Sequence, residues 1–126
     1  MIEHSNAETG VSADEDSISL GLAGVALGQR AEAIASATRS PRAQDIRLGH
    51  DRLHFEYNGL GGYGIVSKIT LVDDSVVNVT LDPELIHLCE ITDPELVFRL
   101  HAPIDGEAKS MLEEICSRSR TPFQRI

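Results

Sequence analysis

The stretch His50–Leu81, HDRLHFEYNGLGGYGIVSKITLVDDSVVNVTL, decides the fold class. Leu53, Phe55 and Tyr57 alternate with His54, Glu56 and Asn58, the period of two that a half-buried strand requires. Gly59-Leu60-Gly61-Gly62 then reads as a turn. Ile65, Ser67, Ile69 and Leu71 fall on one face of a second strand, opposite Val66, Lys68, Thr70 and Val72. Asp73-Asp74-Ser75 is a further turn, after which Val77, Val79 and Leu81 point back to the core. The expectation is a meander of three antiparallel strands.

Working outward from the meander, Ile18, Leu20 and Leu22 alternate with small residues and suggest a strand. Residues 23–39 carry two signals. Their alanines suit a helix, yet Gly24 and Gly28 interrupt one, and Ala31, Ala33, Ala35 and Ala37 recur at period two, which favours a strand over 31–38. Ser40-Pro41 ends that strand, and 43–49 reads as a loop with a turn. On the C-terminal side, Asp82-Pro83-Glu84 has the signature of a helix start and predicts a short helix after the central hairpin. Leu96, Phe98, Leu100 and Ala102 predict a strand over 95–102. Asp105 then caps an amphipathic helix over 105–117, with Ala108, Met111, Leu112, Ile115 and Cys116 on one stripe. The fold class is therefore α+β, an antiparallel sheet of about five or six strands with a C-terminal helix on one face.

The chain has 126 residues, enough for one domain with its own core. That core must be aliphatic, since there is no Trp and only three Phe and two Tyr. Residues 1–17, polar and acidic, read as a disordered tail, 18–120 as the domain, and 121–126 as a C-terminal tail. No apolar run approaches the roughly 20 residues of a membrane helix, and the first residues lack a secretory pattern. Cys89 and Cys116 lack metal or redox spacing and read as buried thiols in a reducing compartment, so the expected location is the cytoplasm.

The net charge is -9 and is uneven. Residues 1–17 hold Glu3, Glu8, Asp14, Glu15 and Asp16 with no Lys or Arg, and residues 73–114 set eleven acids against Arg99 and Lys109. Such a balance serves solubility, or steers a basic partner, and it disfavours direct nucleic-acid binding.

The residues that could carry chemistry do not assemble into a familiar site. Gly59 to Gly64 matches G-x-G-x-x-G, but strand periodicity follows where a nucleotide site needs a helix. The loop reads instead as left-handed turn positions plus a close backbone approach, with Tyr63 as a contact anchor. His50 and His54 could meet near Glu56, although satisfied histidines are the commoner outcome. No metal site, cofactor or catalytic residue is expected.

Gly28-Gln29-Arg30, Gln44-Asp45-Ile46-Arg47-Leu48-Gly49-His50-Asp51, Gly61-Gly62-Tyr63-Gly64-Ile65-Val66 and Leu81-Asp82-Pro83-Glu84 follow one another in an order that resembles the bacterial immunity protein 10 family. The resemblance runs from about residue 18 to 116. It implies a cytoplasmic antitoxin that neutralises a cognate polymorphic toxin, basic nuclease-type domains among them, by stoichiometric binding without catalysis. The alternative is a small ligand-binding or enzymatic domain that uses the Gly59–Gly64 loop. Under the toxin reading the partner contacts are Asp73, Asp74, Glu56, Tyr57 and Tyr63, with Glu90 and Asp93 as further acids. Arg30, Gln44, Asp45, Arg47, Gly49, Gly61, Gly62 and Gly64 carry the motif and are expected to be structural, Asp45 capping a turn or pairing with Arg47 or Arg30.

Overall fold

The computed structural model describes residues 1–126. Nine strands, β1 (Ile2–Ala13), β2 (Ser17–Ala26), β3 (Gln29–Thr38), β4 (His54–Tyr57), β5 (Leu60–Tyr63), β6 (Val66–Val72), β7 (Val76–Leu81), β8 (Glu95–Leu100) and β9 (Phe123–Arg125), form one sheet in the order β5-β4-β3-β2-β1-β8-β7-β6-β9. Two helices, α1 (Ala43–Arg47) and α2 (Gly106–Arg118), complete the fold with a 3₁₀ turn over Ile86–Cys89. The class is α+β as expected. The strand count is higher and the sheet is mixed, because β1 runs parallel to β8 and β6 parallel to β9.

The sheet cannot be flat. Gly64 and Ile65 alone join β5, at one margin, to β6, eighth in the order. Seven inter-strand spacings span roughly 34 Å in a flat sheet, whereas three peptide steps reach at most about 11 Å. The sheet therefore rolls on itself and encloses a single cluster of 26 buried residues, from Leu20 and Phe55 on one flank to Ile69, Val79 and Phe98 on the other. The meander is corrected accordingly. β4–β5 and β6–β7 are separate hairpins on opposite flanks, and Gly61 and Gly62 lie in a strand after an Asn58-Gly59 turn.

The expected tail over 1–17 is corrected too. Ile2–Ala13 is the central strand, hydrogen-bonded to β8 along its first half and to β2 along its second. It changes partner at an irregularity around Asn6, whose φ is 52°. Only His4 and Ala7 of it are fully buried, with Ile2 and Val11 partly buried against the core, so most of its burial is supplied by the neighbours it joins. The C-terminal tail is likewise a strand, β9, added in parallel beside β6.

Within β6 the alternation breaks. Val66 pairs with Leu81 and Lys68 with Thr80, so Ser67 is a bulge. Val66 consequently joins Ile69 and Leu71 in the core, and Ser67 is exposed. The short helix expected at Asp82 is a turn in which Asp82 accepts the Glu84 N–H at 2.9 Å, followed by the 3₁₀ turn that ends at Glu90, φ 55°.

β2 and β3 pair in unbroken register, and residues 31–38 are strand. The alanines at 31, 33, 35 and 37 all face inward and keep that wall thin. α2 lies over β1, β2 and β3 there and reaches β9. Asp105 caps it by accepting the Ala108 N–H at 2.8 Å, and Ala108, Leu112, Ile115 and Cys116 are buried beneath it. Arg118 fastens its end, bonding Glu114 and the Arg39 carbonyl, each at 2.8 Å. No helix is long and apolar enough to cross a membrane.

Candidate partner-binding surface

The expected contact residues fall in three places. Asp73 and Asp74 form the β6–β7 turn, both in the left-handed region, with φ of 49° and 56°. Asp73 is exposed, whereas Asp74 pairs with Lys109 of α2 at 3.0 Å. Glu90 and Asp93 lie in the connection between β7 and β8, at the opposite end of the same strands. Asp93 accepts the Glu95 N–H and pairs with the Met1 amino group, contacts that hold its carboxyl below the usual range, the amino group foremost. Glu56 and Tyr63 belong to β4 and β5, and β5 lies against the 3₁₀ turn that Glu90 ends. The acids thus form no single patch.

Tyr57 is corrected as a contact. It is buried, and its hydroxyl meets His4 Nε2 at 2.8 Å. Burial raises the phenol above its ordinary pKa. Tyr63 is 40% exposed and stacks on His50, centroids 4.4 Å apart, with His54 edge-on at 4.7 Å. The two histidines therefore meet through an aromatic ring. No three His, Cys, Asp or Glu side chains gather as a metal would require.

The motif residues divide. Asp45 accepts the Arg42 N–H at 2.8 Å, which caps α1, and Gly49 takes φ 77° at the helix exit. Arg30 pairs with Glu32 at 3.1 Å rather than with Asp45. Gln44 and Arg47 are exposed. Gln44 borders a half-open polar depression of about 450 Å³ between α1 and the Glu15–Asp16 turn. Gly61 shows the close approach: an added Cβ would sit 1.8 Å from the Phe55 carbonyl oxygen. Gly64 has φ 75°, and Gly62 has ordinary space. The G-x-G-x-x-G stretch is consequently a hairpin whose last glycine leads directly into β6.

Around Glu56, Gly61 and Tyr63 lie surface residues that had no part in the expectation. The outward side chains of β1 to β5 form rows in register: Ser12, Ser19, Ser36, His54 and Tyr63 in one, Gly10, Gly21, Ile34, Glu56 and Gly61 in the next, then Glu8, Ala23 and Glu32. Val25, on the same face, is 42% exposed and Ile34 43%, while Leu27 at the β2–β3 tip is fully exposed. The sequence signal for the last was present: Leu-Gly stands where a two-residue hairpin favours Asn-Gly.

A family model described as Immunity protein 10 matches residues 5–108. The chain belongs to the immunity protein 10 family. The match takes in β1 from Ser5 onward, a strand that enters the fold despite its acidic composition, and ends within the first turn of α2. No curated protein and no solved structure matches the chain. Family membership places it among the immunity proteins of toxin systems, whose role suggests a toxin as partner and an action other than catalysis.

Proposed function

We propose that this chain neutralises a cognate bacterial toxin by binding it stoichiometrically and covering or distorting its active site, with no reaction of its own. Membership of the immunity protein 10 family over residues 5–108 carries the reading. The charge supports it. At -9 the chain would speed encounter with a basic toxin, a nuclease-type domain being the natural class. The rolled sheet supports it as well, since a stiff core presents side chains at little ordering cost. The place of action is the cytoplasm, where buried free thiols such as Cys89 and Cys116 persist.

The test is co-expression with the toxin encoded by the neighbouring gene, scored by survival, followed by a titration of purified toxin domain. Survival with a one-to-one complex supports the reading. Killing despite soluble expression, or rescue at amounts far below one to one, overturns it.

A further inference from the structure

We propose that the partner docks on the outer face of the β2–β3 hairpin, with Leu27 at the tip entering an apolar pocket whose rim is basic. The inference rests on the toxin reading above and adds the surface and the chemistry it selects. A single exposed leucine would say little. Leu27, however, is fully exposed and also sits at φ 52°, in the left-handed region where its Cβ is crowded. The β4–β5 and β6–β7 hairpins place Asn58 and Asp73 at the corresponding left-handed position, residues whose short polar side chains tolerate it. Neither the turn nor contact with water favours leucine here. A function outside the fold accounts for it.

Its surroundings fit an interface. Val25 and Ile34 are half-exposed on the outward side of the same hairpin. Glu8, Glu32 and Glu56 stand around them on the same face, and Arg30 is already paired with Glu32. An apolar centre with a charged rim is the ordinary anatomy of a protein interface. Gly10 and Gly21 face each other across β1 and β2 in the floor of a shallow depression of about 320 Å³. Neither glycine is at positive φ, and an added Cβ would meet nothing nearer than 3.8 Å, so the fold does not need them. They leave backbone that a partner can approach closely. The acids select lysine and arginine on the occupant. A second copy in two-fold contact would set the same three glutamates against themselves, which favours a basic toxin domain as the occupant.

The test titrates the toxin domain encoded by the neighbouring gene into the full chain. Leu27→Asn suits the left-handed turn, so its melting temperature should be unchanged or higher while affinity falls at least about tenfold. Gly21→Val, which strengthens a strand on an open face, should likewise keep the fold and lose binding. If the wild-type chain binds and both variants bind as tightly, this surface is wrong and the toxin reading stands. If the wild-type chain does not bind, the toxin reading itself fails. A dimer in the absence of toxin that Leu27→Asn dissociates, with toxin affinity intact, would assign the face to a second copy and overturn the proposal.

Discussion

His4 Nε2 lies 2.8 Å from the Tyr57 hydroxyl, a bond between the central strand and a strand 53 residues further along the chain. The His4 ring also meets the Val97 carbonyl through Nδ1 at 2.9 Å and stacks on Phe98 at 4.1 Å. With Nδ1–H donating to Val97, the neutral ring is left to accept from Tyr57. Burial lowers the His4 pKa below 6.5, against a smaller opposing effect of the Val97 bond. A lowered pKa in a base means that the unfolded chain takes up a proton that the folded chain refuses. His4 therefore destabilises the fold as pH drops below about 6.5 towards its folded pKa, and has no such effect above 6.5. Urea midpoints between pH 7.5 and 5 should fall more steeply for the wild type than for His4→Gln. Parallel curves would refute the assignment.

Tyr57→Phe removes the partner of a buried ring nitrogen. It should cost about 1–3 kcal/mol of stability. Because Tyr57 is 6% exposed, toxin affinity of the folded variant should not change. A selective loss of affinity, with stability intact, would return Tyr57 to the surface.

Gly61 and Gly62 are neighbours with opposite tolerance. A Cβ at Gly61 collides with the Phe55 backbone at 1.8 Å, whereas at Gly62 the nearest atom is a Leu88 methyl at 3.7 Å. Gly61→Ala must part β4 from β5 and should cost about 2 kcal/mol or more. Gly62→Ala should stay within about 0.5 kcal/mol of the wild type. Equal melting temperatures for the two variants would contradict the pairing of these strands.

Elements whose burial is their own were legible in the sequence. α2 announces itself through Asp105 and the stripe Ala108, Leu112, Ile115 and Cys116, and β2 and β3 through strict alternation. Elements buried by others were not. β1 offers His4 and Ala7 to the core, with Ile2 and Val11 partly buried, and the irregularity around Asn6 breaks their alternation, so no local pattern marks it. β9 has three residues and depends on a parallel partner more than 50 positions away. The roll of the sheet is a property of strand order, and the Ser67 bulge inverts a parity that local reading carries forward unchanged. At the surface the same holds. The alternation of β4 marks Tyr57 as inward-facing, against its expected role as a contact, and Leu27 is marked by turn chemistry alone, because exposure of a turn is not written in periodicity.

Leu112 tests the seat of α2. It is 1% exposed above β1 to β3. Leu112→Ala should cost about 2–5 kcal/mol, and Leu112→Asp should abolish soluble folding. Cys116 gives a second readout, since burial pushes its thiol up to about 12 and makes it inert in the folded chain. Alkylation of Cys116 should be slow in the wild type and accelerate in Leu112→Ala in step with the stability lost. Normal soluble yield for Leu112→Asp would remove the helix from this wall.

The acids at the two ends of β6 to β8 should act on encounter rather than on the bound complex. Asp73 is exposed, and Asp74 keeps a pair with Lys109 that is worth roughly 0.2–1 kcal/mol at a surface. Neutralising both therefore tests steering only after that small loss of stability has been measured separately. With folded Asp73→Asn/Asp74→Asn, which suits both left-handed positions, association should slow at low salt while dissociation holds, and added salt should slow the wild type in the same way. Reversal of Glu90, at the far end, should slow association as well, because steering follows the summed field and not a contact. Glu32→Lys, on the outer face of the hairpin, should instead speed dissociation. Association rates at low salt that ignore both turns would show that the charge of -9 serves only to keep the chain dissolved.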